Sequence, residues 1–217
     1  MPPDPESPRL ILGSASPRRA ALLHQLGLSF AQVASPEEEL ALPATQETGG
    51  EAPQRFVVAS ARAKARAVRG LLGEQAGGRY LVIGADTVVV LDDRILGKPA
   101  GEDEAAAMLR SLSGRDHCVY TGLALVGSAG GEWLDHALTR VRMRPLSEAD
   151  ITWYVASGEP LDKAGAYGIQ GLGARFIEFV EGCYYNVVGL PLERLSALLE
   201  TAGYRFTSPD PQVAGRR

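Results

Sequence analysis

The spacing of apolar positions along the chain changes between two periods, which predicts both strands and helices. Continuous or alternating apolar runs predict strands at 9–12, 29–34, 80–85, 116–127, 132–144 and 175–182. Apolar positions three and four residues apart predict helices at 17–26, 54–72, 102–113, 146–158 and 191–202. Strands alternate with helices early and antiparallel pairs dominate the middle, so we expect an α/β fold with a mixed twisted sheet and flanking helices.

The connections between these elements indicate one domain. Turns are predicted at Asp92–Asp93 and Gly130–Gly131, whereas 35–53 is expected to be a loop. The glycine-rich segment DKAGAYGIQGLGA is expected to lack regular structure. No polar linker divides the middle of the chain, so residues 9–206 are predicted to form a single domain with two lobes around a central cleft. The flanking residues, 1–8 and 207–217, are predicted to be disordered.

Composition and charge exclude several classes of protein. The formal net charge is −4, which argues against a surface that attracts nucleic acid. No apolar run reaches the ~20 residues that span a bilayer, and the N-terminus is too polar and acidic for a signal peptide. Cys118 and Cys183 lack metal-type spacing and are expected to be reduced thiols. These features predict a cytoplasmic protein that binds neither nucleic acid nor membrane.

The first helix begins with an unfavourable charge pattern, in the segment SASPRR. Ser16 suits the N-cap and Pro17 the first helical position, which places Arg18 and Arg19 where the helix dipole is already positive. A bound polyphosphate would make this arrangement favourable, because both guanidiniums, the helix N–H groups and the hydroxyls of Ser14 and Ser16 could converge on it. The alternative is a solvated loop with two surface arginines.

Three further positions could act on the same anion. Asp86 and Thr87 come just after the predicted strand 80–85, where ligands of α/β sheets bind. There the Asp86 carboxylate could hold a divalent metal or take a proton from water, although a turn or cap role is also common for aspartate. Lys98 lies in a tight Gly-Lys-Pro loop. Lys64 lies within a predicted helix, where a solvated helix face is the alternative.

The remaining candidates lie in the glycine-rich segment and in an acidic run. Only three of the 22 basic residues are lysines, so each surviving lysine is a candidate for a compact point charge. Lys163 and Gln170 lie among glycines that let the backbone approach a ligand, and Gln170 could read a nucleobase edge. Tyr167 could stack on a ligand or simply pack. Glu37–Glu39 could be a solvated loop or supply metal ligands, and the three histidines look incidental.

Together these segments resemble the Maf family of nucleoside triphosphate pyrophosphatases. SASPRR, ARAKA, GADTVV, GKP and KAGAYGIQGLGA…NVVGLPL occur in the expected order over about residues 9–195, and all three lysines fall inside them. The resemblance implies a two-lobed α/β fold around a nucleotide-binding cleft, and hydrolysis between the α and β phosphates. It also implies a divalent cation, Mg²⁺ or Mn²⁺, and a homodimer.

The resemblance also implies a role for each candidate residue. Catalytic roles are expected of Asp86, Lys98 and Lys64, substrate contacts of Ser14, Ser16, Arg18, Arg19, Thr87, Lys163 and Gln170, and metal binding of Glu39 and Asp86. Glu38 is the alternative to Glu39, because the acidic loop aligns less securely. Asp86 would also take the proton of the attacking water.

The family has branches, and three of these residues choose between them. Arg18, Thr87 and Gln170 match the branch that acts on dTTP and UTP rather than the one that acts on 7-methyl-GTP. Two other functions are kept as alternatives. A nucleotide-binding regulator of septum formation would need the phosphate pocket but no base at Asp86. A nucleic-acid-binding protein is disfavoured by the net charge and the lack of a basic stripe.

Overall fold

A mixed sheet forms the centre of the computed structural model, which describes residues 7–39, 45–47, 53–73 and 77–206. Eight strands are present in these residues: β1 (Arg9–Leu12), β2 (Phe30–Gln32), β3 (Thr45–Glu47), β4 (Tyr80–Leu91), β5 (Arg94–Leu96), β6 (Asp116–Gly127), β7 (Glu132–Met143) and β8 (Ile177–Glu181). The main order is β2-β1-β4-β6-β7-β8, and β5 joins β4 to β3. The pairs β1–β2 and β1–β4 are parallel, and the others are antiparallel.

Helices flank the sheet on both faces. They are α1 (Pro17–Gln25), α2 (Pro53–Leu72), α3 (Glu102–Leu112), α4 (Glu148–Ala156), α5 (Tyr184–Val188) and α6 (Leu192–Thr201). Short 3₁₀ turns cover Pro36–Glu39, Glu159–Asp162, Ala164–Ala166 and Gly171–Phe176. Within the described part of the chain, no helix combines the length and the apolar character that crossing a membrane requires.

The predicted α/β fold is confirmed, with three differences around the cleft. Strand 80–85 continues as β4 to Leu91, because its second half pairs with both β6 and β5. Asp86 and Thr87 therefore lie inside a strand, and the prediction that they follow its end is wrong. The loop predicted at 35–53 contains a 3₁₀ turn and β3, while α5 was not predicted at all. These elements are too short for an apolar period to reveal them.

The two faces of the sheet carry different cores, as the alternation along β4 shows. Even-numbered residues of β4, such as Val82 and Val88, pack with side chains of α2 and neighbouring segments. Odd-numbered residues face the other side, where two separate cores form. Ile83 belongs to the core that contains residues of α1 and α6, and Val89 to the core that contains residues of α3 and α4. These two cores are the two predicted lobes.

Helix α2 lies unusually close to the sheet, and two glycines make this approach possible. A Cβ atom added at Gly84 would lie 2.2 Å from the carbonyl oxygen of Ala61, and one at Gly122 would lie 2.2 Å from that of Val57. Neither glycine has a positive φ. They are therefore needed for the absence of a side chain rather than for backbone freedom.

We predict that Gly84→Ala destabilises the fold, because the added methyl collides with the backbone of α2. The expected loss is about 1–3 kcal/mol of unfolding free energy or more. Gly70→Ala on α2 is the matched control, since an added Cβ there meets no atom within 4 Å. This control should be stabilised by up to about 1 kcal/mol, because alanine favours helix. Denaturant unfolding measures both variants, and equal stabilities for Gly84→Ala and the parent would contradict the prediction.

Candidate active site

The cleft opens at a gap in strand pairing along β4. β1 pairs with residues 80–83 and β5 with residues 89–91, and among the described strands none pairs with residues 84–88 on that side. A cleft of about 1100 Å³ is lined there by Asp86 and Thr87. Successive strand residues face opposite sides of a sheet, so Asp86 faces α2 while Thr87 faces α1. Both side chains reach the same cleft because no described strand covers this edge of β4 at residues 84–88.

Nine of the predicted site residues line this cleft, from both lobes. They are Ser16, Arg18, Arg19, Lys64, Asp86, Thr87, Lys98, Lys163 and Gln170. Glu37 of the acidic run lines it as well. Ser14 is fully buried. The side chains of Glu38 and Glu39 lie outside the described part of the structure, so their predicted role in metal binding stays a prediction.

Asp86 and Lys64 form a partly buried ion pair at the base of the cleft. The Lys64 Nζ donates to Asp86 Oδ1 over 2.6 Å, and each side chain is 13% exposed. Lys64 stands on α2 one turn from Ala61, whose carbonyl oxygen lies over Gly84. The close approach of the helix therefore brings the ammonium to the carboxylate. The alternative of a solvated helix face for Lys64 is excluded.

Arg19 is almost fully buried at the start of α1, where several oxygens orient it. Its Nε donates to the Gly189 carbonyl over 3.0 Å, its Nη1 to Ser14 Oγ over 3.2 Å, and its Nη2 to Thr87 Oγ1 over 3.3 Å. Ser16 caps α1 as predicted, since its hydroxyl accepts from the Arg19 backbone N–H. Ser14 thus supports Arg19 from within the protein, and its predicted contact with substrate stays a prediction.

Arg18 points elsewhere and meets the glycine-rich segment across the cleft. Its Nη1 lies 3.0 Å from Asp162 Oδ2, and Lys163 Nζ lies 2.6 Å from Asp162 Oδ1. Burial alone would raise the pKa of Asp162, but its hydrogen bonds with Lys163 and Arg18 leave it lowered. One carboxylate therefore orients two of the cations predicted to bind substrate.

A partly exposed carboxylate, that of Glu159, shapes the turn after Gln170. Glu159 accepts hydrogen bonds from the backbone N–H groups of Leu172 and Gly173 and from the Tyr154 hydroxyl. Burial tends to raise the pKa of Glu159, but the bonds from Leu172 and Gly173 outweigh it and lower the pKa. Gln170 itself is exposed beside the cleft. The glycine-rich segment is thus ordered by short 3₁₀ turns and by this carboxylate.

Tyr167 packs inside the protein rather than being available to stack on a ligand, because its hydroxyl contacts a buried histidine. It is 5% exposed, and its hydroxyl lies 2.7 Å from His117 Nε2. Burial raises the pKa of Tyr167 and lowers that of His117 to about 4. His117 is therefore neutral near pH 7 and supports the wall of the cleft. The expectation that this histidine is incidental does not hold.

A model of the Maf-like protein family matches residues 9–202. The chain belongs to the Maf family. The two cleft lobes, SASPRR at the start of α1 and the glycine-rich segment all lie within the matched region.

Relatives in the Maf family are similar over nearly their whole length. A protein of Pelotomaculum thermopropionicum named dTTP/UTP pyrophosphatase is 50% identical over 90% of this chain and 97% of its own. One of Nitratidesulfovibrio vulgaris with the same name is 48% identical over 89% of this chain and 88% of its own. The solved Staphylococcus aureus Ham1 protein aligns at 12% identity and a TM-score of 0.44, covering 89% of this chain and 99% of that one. That likeness is too low to carry an argument.

The sequence predicted no role for several side chains that support the site. Asn186 is fully buried, and its Nδ2 donates to the Val119 carbonyl over 3.0 Å and to Thr139 Oγ1 over 2.9 Å. Thr121 is also fully buried and contacts Thr87. The signals in the sequence were the position of Asn186 at the start of NVVGLPL and the polar residue Thr121 within the apolar run CVYTGLALVG.

We predict that His117 makes stability depend on pH between about 6.5 and 4. An unfolded histidine titrates near 6.5 and the folded one at about 4, so the unfolded chain binds the additional proton between these values. The unfolding free energy therefore falls as the pH drops through this window, by roughly 3 kcal/mol from this group.

The measurement is denaturant unfolding of the parent and of His117→Gln at several pH values. The glutamine variant keeps a polar partner for Tyr167 but cannot titrate. The difference in unfolding free energy between parent and variant should shrink or reverse as the pH falls, because carboxylates contribute equally to both. A constant difference from pH 7 to pH 4.5 would refute this role.

Proposed function

We propose that this chain is a nucleoside triphosphate pyrophosphatase that hydrolyses UTP and dTTP to the monophosphate and pyrophosphate. The observation that carries the proposal is the cleft itself, which the Asp86 carboxylate, paired with Lys64, lines together with the cations Arg19 and Lys98. The relatives of Pelotomaculum and Nitratidesulfovibrio, with their shared printed name, support the same substrates.

The cations suit a triphosphate, which carries about four negative charges near neutral pH. Arg19 is oriented by three oxygen acceptors, so its charge is held in place before substrate arrives. Lys98 is exposed in the cleft between two buried neighbours, Gly97 and Pro99, which limit the movement of its backbone. Fixed positive charges of this kind stabilise negative charge on phosphate oxygens in the transition state.

The Asp86 carboxylate is the proposed proton acceptor at this site. Its Oδ1 accepts the bond from Lys64, and the carboxylate lines the cleft. A water molecule between Asp86 and the phosphate chain would attack phosphorus, while its proton passes to Asp86. The bond between the α and β phosphates breaks, and pyrophosphate leaves with the electron pair of that bond.

A divalent metal, Mg²⁺ or Mn²⁺, fits the oxygen donors of the cleft. The carboxylates of Asp86 and Glu37 both line it, whereas no group of three His, Cys, Asp or Glu side chains suited to a metal occurs among the described residues. Mg²⁺ usually takes one or two carboxylates and completes its shell with phosphate oxygens and water. When bound, it would neutralise phosphate charge. We retain Glu39, or Glu38 in its place, as the second proposed protein ligand.

Base choice is proposed to depend on Arg18, Thr87 and Gln170, with Lys163 beside them. Arg18 and Lys163 are paired through Asp162 on the glycine-rich side of the cleft, while Gln170 is exposed next to them. A buried polar group that a wrong base leaves unmatched costs roughly 1–3 kcal/mol. We therefore expect UTP and dTTP to be better substrates than CTP, and purine triphosphates to be poorer still.

A cytoplasmic homodimer remains part of the proposal. It rests on the family resemblance and on an exposed apolar surface of the sheet. Leu134, Leu138 and Phe179 project from the same face of β7 and β8, and each is at least 41% exposed. Exposed apolar patches of this kind mark protein contacts more often than isolated side chains do.

The first prediction from the proposed function tests the reaction itself. With UTP or dTTP, the purified chain should release pyrophosphate, and EDTA should abolish this release because the phosphate charge is then not neutralised. The measurement is a pyrophosphate-specific coupled assay beside a direct orthophosphate assay, over a panel of nucleotides. Orthophosphate as the first product, or full activity in EDTA, would contradict the proposed reaction. Tight binding of UTP without turnover would favour the nucleotide-binding regulator instead.

The second prediction isolates Asp86. Asp86→Asn should lower turnover of UTP by at least a hundredfold, because it removes the proton acceptor and a metal ligand while keeping the shape. Metal-free binding of UTP should be unchanged or tighter, since an anion beside the phosphates is gone. Calorimetry in EDTA measures binding, and the coupled assay measures turnover.

Glu178→Gln is the control for Asp86→Asn, because it removes one carboxylate charge from the exposed surface of β8. It should match the parent in both measurements. Turnover of Asp86→Asn within tenfold of the parent would show that Asp86 is a structural partner of Lys64 only.

A further inference from the structure

A buried hydrogen-bonded chain runs behind the cleft and ends at Thr87. Thr87 and Thr121 are cross-strand partners in the β4–β6 register, on the face of the sheet opposite α2. Their hydroxyl oxygens lie 2.9 Å apart. Thr121 is fully buried, and its hydroxyl also donates to the Asn186 carbonyl over 3.0 Å. Asn186 belongs to α5, so the chain links three elements.

The direction of each proton follows from counting donors. A threonine hydroxyl has one proton and two acceptor positions. A carbonyl can only accept, so the Thr121 proton is used on Asn186. Thr87 must therefore donate its own proton to Thr121. Arg19 Nη2 donates to Thr87 Oγ1 from the other side, which leaves this oxygen one acceptor position and no proton to offer.

The reverse arrangement would make one internal hydrogen bond fewer. If Thr121 donated to Thr87, the bond from Thr121 to the Asn186 carbonyl would be lost within a fully buried site. The Asn186 carbonyl would then keep only its other donor, the Gly189 backbone N–H. A buried hydrogen bond of this kind shifts an equilibrium by roughly threefold to tenfold. The protein therefore favours the orientation in which the Thr87 hydroxyl donates to Thr121, before any ligand binds.

We propose that Thr121 and Asn186 are positioning residues that make Thr87 a hydrogen-bond acceptor toward the cleft, and so select bases that carry an N3–H donor. Uracil and thymine carry a proton on N3, whereas cytosine has an acceptor there. Two acceptors facing each other are unfavourable, so cytosine is rejected without any clash of shape. An acceptor is also poorly suited to a phosphate oxygen, which places Thr87 at the base rather than at the phosphates. This inference rests on the proposed hydrolysis of UTP and dTTP.

The test uses Thr121→Val, which keeps the shape of the side chain but removes its hydroxyl. The Thr87 proton then loses its acceptor and can turn into the cleft, where it can donate to N3 of cytosine. The ratio of kcat/KM for UTP to that for CTP should fall by about threefold to tenfold. A purely structural loosening would lower both values and leave their ratio unchanged. Thr121→Ser, which restores the hydroxyl, should return the parent ratio.

Thr139→Val is the matched control. Thr139 is also fully buried, and its hydroxyl contacts Asn186 Nδ2 and the Cys183 backbone. This variant loses a buried hydroxyl of the same kind, so thermal unfolding should show a comparable loss of stability. The UTP to CTP ratio should remain that of the parent. Thr121→Ala removes the same hydroxyl as Thr121→Val and provides the readout if the valine variant does not fold.

The outcomes separate the inference from the function on which it rests. If the parent releases no pyrophosphate from UTP, the proposed function fails before any variant is measured. If the parent is active and prefers UTP, but Thr121→Val and Thr121→Ala keep its ratio, the inference alone is overturned. An equal fall in Thr139→Val would also overturn it, because the effect would then come from general loosening.

Discussion

The site depends on how closely α2 can approach the sheet. The carbonyl oxygens of Val57 and Ala61 occupy the space that side chains at Gly122 and Gly84 would fill. At a greater separation, the Lys64 ammonium could not reach the Asp86 carboxylate at 2.6 Å. Since both groups are only 13% exposed, the pair must be well matched for its attraction to offset the loss of hydration. Two glycines in the strands therefore determine where the Lys64–Asp86 pair forms, which is the site of the proposed acid–base chemistry.

The cleft also depends on a sheet edge that is left open. Parallel pairing with β1 ends at Ile83 and antiparallel pairing with β5 begins at Val89, so the side chains between them are accessible from the edge. The Asp86 side chain lies on the face of the sheet toward α2, and the Thr87 side chain lies on the opposite face. This geometry would let the proposed proton acceptor and the proposed base-selecting hydroxyl act on different parts of one ligand although they are neighbours in sequence. The chain is acidic overall, at −4, but two arginines and all three lysines line this cleft.

Carboxylates and hydroxyls of the protein keep most of these cations in position. Asp162 holds Arg18 and Lys163 together, and Asp86 holds Lys64. Oxygens of Ser14 and Thr87 orient Arg19. Such preorganisation reduces the cost of rearranging charges when a triphosphate enters. The same contacts determine which atoms of the site donate hydrogen bonds and which accept them. A site of this kind could distinguish one nucleobase edge from another.

The sequence by itself was sufficient for the α/β class, most helices and strands, and nine residues that line the cleft. Apolar periods reveal long elements, and the charge pattern of SASPRR is unfavourable unless an anion binds. It could not locate α5 or β3, which are too short for a period, nor could it reveal that Asp86 lies within a strand. Only the tertiary structure decided that Ser14 supports Arg19, that His117 contacts the Tyr167 hydroxyl, and that Thr121 contacts Thr87. These contacts join residues 5 to 50 positions apart, and strand register and helix packing, rather than local pattern, bring such residues together.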